Sequence, residues 1–277
     1  MQLEFCENKM NFYTLFFLKF ILLRNRSFIW ESKQKRLKVI RKIISIDTDL
    51  LIGIDRQKNT IINNTINFAK GNITNNALLW GARGNGKSTL IKSTFNQISK
   101  DYKSLRLIQL NKSSIEDLEL IYSIIKKFSD FRFIIFIDDL SFEKIDIDYK
   151  IIKSTLDGSI QNQPNNIILY ITSNRRHLMP RDMIDNERSS AIHTDESVEE
   201  KISLSDRFGL WIGFHNMSQE VYINIIKSYC NHYKIDYSNV ELKDSIKWSI
   251  QRGNRTGRSA WQYIIELASK KNLKINF

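Results

Sequence analysis

Cysteine is almost absent: the 277 residues hold two, Cys6 and Cys230. Two isolated thiols build neither a disulfide framework nor the paired spacing of a zinc site, which excludes a disulfide-stapled secreted fold and a cysteine-held metal centre. The scarcity suits a reducing cytosol, and a cytoplasmic protein is expected. Long apolar runs are missing too. Phe12 to Leu23 is strongly apolar but is interrupted by Lys19, and it falls short of the ~20 residues that cross a bilayer. Glu4 and Glu7 precede it where a signal peptide would be basic, and no small-residue cleavage site follows. The stretch reads as a buried or membrane-surface helix, or as the product of an over-long gene start with Met10 as the alternative. No transmembrane segment is expected. Acidic residues are in deficit, with 30 Asp and Glu against 42 Lys and Arg, for a net charge of +12. Such a surplus attracts polyanions, nucleic acid among them. The Ile-, Asn- and Lys-rich bias and the presence of only two prolines also fit the base composition of an AT-rich gene, which adds surface lysine without function. No internal repeat is visible.

What is present is an ordinary globular composition, 42% apolar and 26% charged, on a chain long enough to bury a substantial core. Three regions follow from its texture. Residues 1–45 form a basic, partly helical leader. Residues 46–216 alternate strand and helix signals. Residues 217–277 carry helical signals only. The middle region contains the apolar runs Ala77 to Trp80, Leu105 to Leu110, Phe133 to Ile137 and Ile167 to Ile171, with helical stretches between them. Unbroken apolar strands alternating with helices predict a parallel sheet covered on both faces. Ser113 and Glu116 read as a capping box opening a helix with Leu118, Ile121, Tyr122, Ile125 and Phe128 on one face. In the last region Ser218 caps one helix, and Val240 to Gln251 and Ser259 to Lys270 form two more.

Gly81-Ala82-Arg83-Gly84-Asn85-Gly86-Lys87-Ser88 matches G-x-x-x-x-G-K-[ST] between a strand and a helix, the context in which that loop cradles phosphates. The candidate nucleotide-binding stretch is Gly81, Ala82, Arg83, Gly84, Asn85, Gly86, Lys87, Ser88 and Thr89. Lys87 is placed to reach β- and γ-phosphates of ATP, and the Ser88 hydroxyl to ligate Mg²⁺. Asp138 and Asp139 end the Phe133 strand; Asp138 is the candidate second Mg²⁺ ligand, and Asp139 the group that polarises the attacking water. Asn174, at the tip of the next strand, can orient that water. Arg207, at a turn before Leu210 to Phe214, offers either a guanidinium acting on a neighbour's nucleotide or a structural ion pair with Asp206 or Glu200. Arg255 or Arg258, opening the last helix, points to the γ-phosphate or simply makes a basic helix start.

The order of these motifs resembles that of AAA+ ATPases: Walker A at Gly81–Ser88, Walker B at Phe133–Asp139, sensor 1 at Asn174, arginine finger at Arg207 and sensor 2 at Arg255 or Arg258. The stretches LLWGARGNGKSTLIK, FIDDLSFE, ITSNRRHLMP, EEKISLSDRFGLWIGF and RGNRTGRSAWQ are similar to a bacterial family known only as an ATP-binding domain of unknown function, over about Leu50 to Leu267 with the leader outside. The resemblance implies an α/β P-loop NTPase of AAA+ type, with a five-stranded parallel sheet flanked by helices and a small C-terminal helical lid. It implies Mg²⁺-dependent ATP hydrolysis in a homo-oligomer that acts on an unidentified protein or nucleic-acid partner. The alternative is an ATP-gated module that binds DNA or RNA, as helicase loaders do, with little turnover. Leu51 to Asp55 is expected beside adenine. Two features depart from the AAA+ pattern. Asp139 stands where most AAA+ proteins have Glu, so Glu143 becomes a candidate helper, and a basic run, Arg175-Arg176-His177, follows sensor 1 as a further inter-subunit contact or a substrate surface. No pore-loop aromatic motif of the unfoldase kind is present.

Overall fold

The computed structural model describes residues 12–142, 147–157, 164–176, 178, 204 and 207–275. A helix α1 (Phe12–Arg24) is followed by strands β1 (Ser27–Glu31) and β2 (Arg36–Val39). Then come α2 (Asp55–Ala69), β3 (Ala77–Gly81), α3 (Lys87–Asp101), β4 (Leu105–Leu110), α4 (Leu118–Ile125), β5 (Arg132–Ile137), α5 (Ile147–Asp157), β6 (Ile167–Ser173) and β7 (Leu210–Phe214). Three helices close the chain: α6 (Gln219–Tyr233), α7 (Asn239–Gln251) and α8 (Gly257–Lys270).

The strands form one seven-stranded sheet in the order β2-β1-β4-β5-β6-β3-β7. All pairings are parallel except β1 with β2. This corrects the expected count of five. The two additional strands are a hairpin from residues 27–39, inside the basic stretch read as leader. They escape a hydropathy reading because Arg36, Lys38 and Glu31 line their outer side as two ion pairs, while Phe28, Trp30, Leu37 and Val39 face the core. Buried Asp117 ties the hairpin down, accepting from Trp30 Nε1 at 2.8 Å, Ser32 Oγ at 2.5 Å and Lys35 Nζ.

Each face of the sheet has its own core. One is roofed by α1, α4 and α5, with Leu22, Phe133, Ile135 and Leu169 inside. The other packs on α2 and α3 through Leu79, Leu90, Phe136 and Tyr170. Strand β5 alternates between them yet is buried from Phe133 to Ile137, as a central parallel strand covered on both faces must be. The predicted Ser113–Glu116 box does not form. Lys112–Asp117 winds as a 3-10 helix without a side-chain cap, and its three-residue turn eclipses Ser114 with Asp117 so that both turn inward.

The last three helices build a third core around Tyr222, Ile226, Ile264 and Leu267. Each begins at a side-chain cap: Ser218 Oγ accepts from Val221 N, Ser238 forms a capping box with Glu241, and Thr256 pairs reciprocally with Ser259. These caps satisfy amides that would otherwise be orphaned. The third also fixes where α8 begins, directly against the phosphate loop.

Candidate nucleotide site

The loop from Gly81 to Lys87 leaves the C-terminal end of β3 in backbone shapes that demand glycine. Gly81, Gly84 and Gly86 have φ of +129°, +79° and +90°. A Cβ on Gly81 would stand 2.0 Å from the Phe214 carbonyl oxygen, and one on Gly84 3.1 Å from both Thr256 Oγ1 and Arg258 Cβ. The loop is thereby pinched between β7 and the first turn of α8. Its amides open α3, whose N-terminal dipole favours an anion.

Lys87 is buried at 7% exposure. Its Nζ donates to Gly81 O at 2.7 Å, Ala82 O at 2.8 Å and Asn174 Oδ1 at 3.1 Å. Desolvation lowers its pKa to about 8, against the opposing pull of Asp139 and Asp138. No carboxylate lies within salt-bridge distance of Nζ among the described residues, and the ammonium is held by neutral oxygens alone.

The acidic side continues from the same lysine. Asn174 Nδ2 donates to Asp139 Oδ1, and Asp139 N donates to Thr172 Oγ1 at 2.9 Å. Asp138 Oδ1 accepts from Thr172 Oγ1 at 2.6 Å and from Ser88 Oγ at 2.5 Å. Asp139 takes a left-handed φ of +55°, a conformation aspartate tolerates better than most residues, and this turns its carboxylate away from Asp138 into the cleft. Arg83 stands 4.0 Å from Asp139 with both side chains exposed, a contact of little energetic weight.

The cleft has a volume of about 620 Å³. Its polar wall holds Arg83, Gly84, Gly86, Lys87, Ser88, Thr89, Asp138, Asp139 and Asn174, with Arg258 and Gly257 from the lid. Arg258 N also donates to Gly84 O at 3.1 Å. Arg255 is elsewhere. It lines a separate cavity of about 290 Å³ with Asn216, Met217 and Asn254, and its Nε is buried without a partner. Arg207, half-buried at the turn before β7, and Asn85 are not among the cleft's lining residues. Asn85 is 4% exposed, and its Nδ2 braces the loop by donating to His215 O at 2.8 Å. Glu143, His177, Glu200 and Asp206 lie outside the described residues.

The apolar end of the cleft was not legible beforehand. Of the Leu51 to Asp55 stretch only Leu51 lines it, and the rest of the wall is Ile44, Ser45 and Ile46 from the connector and Tyr229 and Trp261 from the lid. The one available signal is spacing, since Trp261 lies one turn after Arg258 on the same face of α8. Arg176 lies over two indoles of its own chain, 5.3 Å from the Trp80 ring and 4.9 Å from Trp211, and Arg175 donates to Phe142 O at 2.9 Å.

The donor set suits Mg²⁺. One carboxylate beside one hydroxyl, both hard oxygens, is the partial set expected of an ion that arrives with phosphates and keeps its waters. Among the described residues no three His, Cys, Asp or Glu side chains gather as a protein-only cage.

Sheet order, phosphate loop, Asp-Asp strand end and helical lid together define the fold as that of the AAA+ P-loop ATPases. The family model described as "Protein of unknown function (DUF815)" matches residues 23–271, and the chain belongs to that family. The match therefore takes in the β1–β2 hairpin, which the sequence resemblance had left outside. No curated protein matches the sequence. Solved structures of similar fold include the Holliday junction branch migration motor RuvB of Thermotoga maritima, at 17% identity and TM-score 0.53 over 83% of this chain and 68% of that one. Domain III of the Thermotoga maritima replication initiation protein DnaA aligns at 13% identity and TM-score 0.50, over 81% of this chain and 88% of that one. AMPPCP-bound DnaA from Aquifex aeolicus aligns at 13% identity and TM-score 0.50, over 83% and 63%. At such identities the likeness is one of fold.

Proposed function

We propose that the chain is a Mg²⁺-dependent ATPase that works as a homo-oligomer in the cytoplasm and spends ATP on rearranging or loading a partner. The observation that carries this reading is one unbroken hydrogen-bonded path, Ser88–Asp138–Thr172–Asp139–Asn174–Lys87. The side chains that this reading assigns to Mg²⁺, to the attacking water and, through Lys87, to the β- and γ-phosphates are on it. Lys87 exchanges the Gly81 and Ala82 carbonyls for the β- and γ-phosphates. Ser88 and Asp138 would hold Mg²⁺, which when bound neutralises charge developing on the phosphoryl oxygens. Asp139 accepts a proton from the attacking water, and Asn174, already bonded to it, sets the water's direction. Trp261, Tyr229 and Leu51 enclose the base.

Arg258 is the lid arginine in this reading, because it lines the cleft and Arg255 does not. Arg207 acts on a neighbouring copy's nucleotide. Its absence from its own cleft supports that assignment, and closure of one subunit's site by the next makes turnover depend on assembly. The shorter carboxylate at position 139 is compensated by Asn174, whose amide holds it directly.

The test is phosphate release by the purified protein across a concentration series, beside Lys87→Ala. Turnover that rises more than linearly with protein and vanishes in the variant supports the reading. Tight ATP binding without turnover would replace it with a nucleotide-gated switch. The net charge of +12, and neighbours in fold named as a branch migration motor and a replication initiation protein, favour a nucleic-acid partner. A gel shift that weakens steeply with salt would support this, and no shift at low salt would point to a protein partner.

A further inference from the structure

Helix α1 is apolar on two opposite sides, one packed into the core and one exposed. Leu18 and Leu22 are buried in the core, with Leu15 and Ile21 packed beside them. On the outer side Tyr13, Phe16, Phe20 and Leu23 are exposed at 79%, 68%, 43% and 63%. At 100° per residue these four fall within about 80° of arc, a single stripe of large apolar side chains. Arg24 closes one end of it, its guanidinium 4.2 Å from the Phe20 ring centroid. Lys19, beside the stripe, is engaged by Asp130 at 2.8 Å.

We propose that α1 is a surface anchor that lays this stripe on an anionic lipid bilayer. Two arguments select a membrane over a second copy of the chain. The first is area. A 13-residue helix is about 20 Å long, and pairing two of them buries on the order of 500 Å², well below the roughly 1,200 Å² of a stable interface. A bilayer needs no matching shape and accepts aromatic side chains at its headgroup level. The second is charge. Residues 12–45 hold nine Lys and Arg against one Glu, so +8 of the chain's +12 sits in and directly after this helix. Arg24 is exposed on α1 itself, and Lys33 and Arg41 are exposed on the segments that follow, whereas Lys38 pairs with Glu31 and Lys42 lines a cavity with Lys92 of α3. An apolar stripe on a helix that ends in, and is followed in sequence by, cationic residues is the combination that holds a peripheral helix in the plane of an acidic membrane. No described helix is long and apolar enough to cross one, so α1 lies on the surface. The proposal does not depend on the ATPase reading.

Co-sedimentation of the full chain with vesicles tests it, using phosphatidylcholine alone and phosphatidylcholine mixed with phosphatidylglycerol, at low and high salt. Binding is expected on the mixed vesicles at low salt and is lost on neutral ones. Phe16→Glu with Phe20→Glu should weaken it by at least about tenfold without moving the thermal melt, because neither side chain enters the core. Tyr13→Ser with Phe16→Ser provides a milder pair should the glutamates disturb folding. Absence of vesicle binding by the wild type at low salt overturns the proposal. So does equal binding by the stripe variants, or a stripe variant that dissociates an oligomer in sedimentation velocity while binding vesicles unchanged.

Discussion

Replacing Lys87 by methionine should make the nucleotide-free protein more stable and the nucleotide-bound protein less so. The ammonium is buried against neutral oxygens, and desolvation brings its pKa from 10.5 to about 8. That difference corresponds to ~3 kcal/mol favouring the uncharged form. Methionine fills the stem's volume and removes the charge. It also removes a donor from Gly81 O, Ala82 O and Asn174 Oδ1, of which Asn174 lines an open cleft where water can replace it, so part of the gain survives. A net stabilisation of about 1–2 kcal/mol is expected at pH 7. Saturating Mg·ATP at about 100-fold over its Kd should stabilise the wild type by ~2.7 kcal/mol and the variant hardly at all, reversing their order. The pH dependence has a definite sign. The folded pKa lies below the unfolded one, so between about pH 8 and 10.5 the unfolded chain binds more protons, and wild-type stability rises with pH across that window. The variant lacks this rise, and its advantage should close towards pH 10.5. Denaturant titrations with and without nucleotide read all of this. A variant that is less stable when nucleotide-free, or that keeps the ATP-induced shift, refutes the reasoning.

Other substitutions separate the parts of the site and the fold. Asp139→Asn keeps the contact with Asn174 but cannot accept a proton; phosphate release should fall by about 10²-fold or more while ATP binding by filter retention is unchanged. Trp261→Ala removes the base's aromatic wall and should weaken ATP binding by roughly tenfold or more, measured by calorimetry. Asp117→Ala strands the buried Trp30 N–H and frees the β1–β2 hairpin, at a cost of about 2–4 kcal/mol in denaturant unfolding. Burial alone would raise the Asp117 carboxyl, but Lys35, Ser32 and Trp30 outweigh it and hold the pKa below 3.8. Its stabilisation is therefore present above that pH and lost as pH falls through the lower folded value, so the gap between wild type and variant should narrow in acid.

The polar half of the cleft was legible because its signals are local. A glycine loop between β3 and α3, and two aspartates ending an unbroken apolar strand, each carry their chemistry within a few neighbouring residues. The lid arginine was ambiguous for a local reason too. Arg255 and Arg258 flank Thr256, and only once Thr256 caps α8 does Arg255 fall outside the helix, with Arg258 in its first turn beside Gly84. The apolar end was hidden because its walls come from separate segments, the connector at Ile44 to Ile46, Leu51, Tyr229 and Trp261, which only the tertiary fold gathers. The β1–β2 hairpin was hidden because three of its nine strand residues, Glu31, Arg36 and Lys38, are charged and answer each other across the strands, which in sequence looks like a solvated basic stretch. Apolar runs marked β3, β4, β5 and β6, and the turn at Arg207 marked the start of β7; the two missed strands are tied down by Asp117, more than 75 residues along the chain from them.

The most direct test of the account mixes two inactive variants. Asp139→Asn retains Arg207 but has no working site, while Arg207→Ala has an intact site and no arginine to offer. In a one-to-one mixture about a quarter of the subunit contacts should pair an intact site with a neighbour's Arg207. The account predicts that phosphate release, negligible for either variant alone, recovers to about that fraction of wild type on mixing. A mixture that assembles and binds ATP yet stays as inactive as its components would contradict the claim that the cleft is completed by the next copy of the chain.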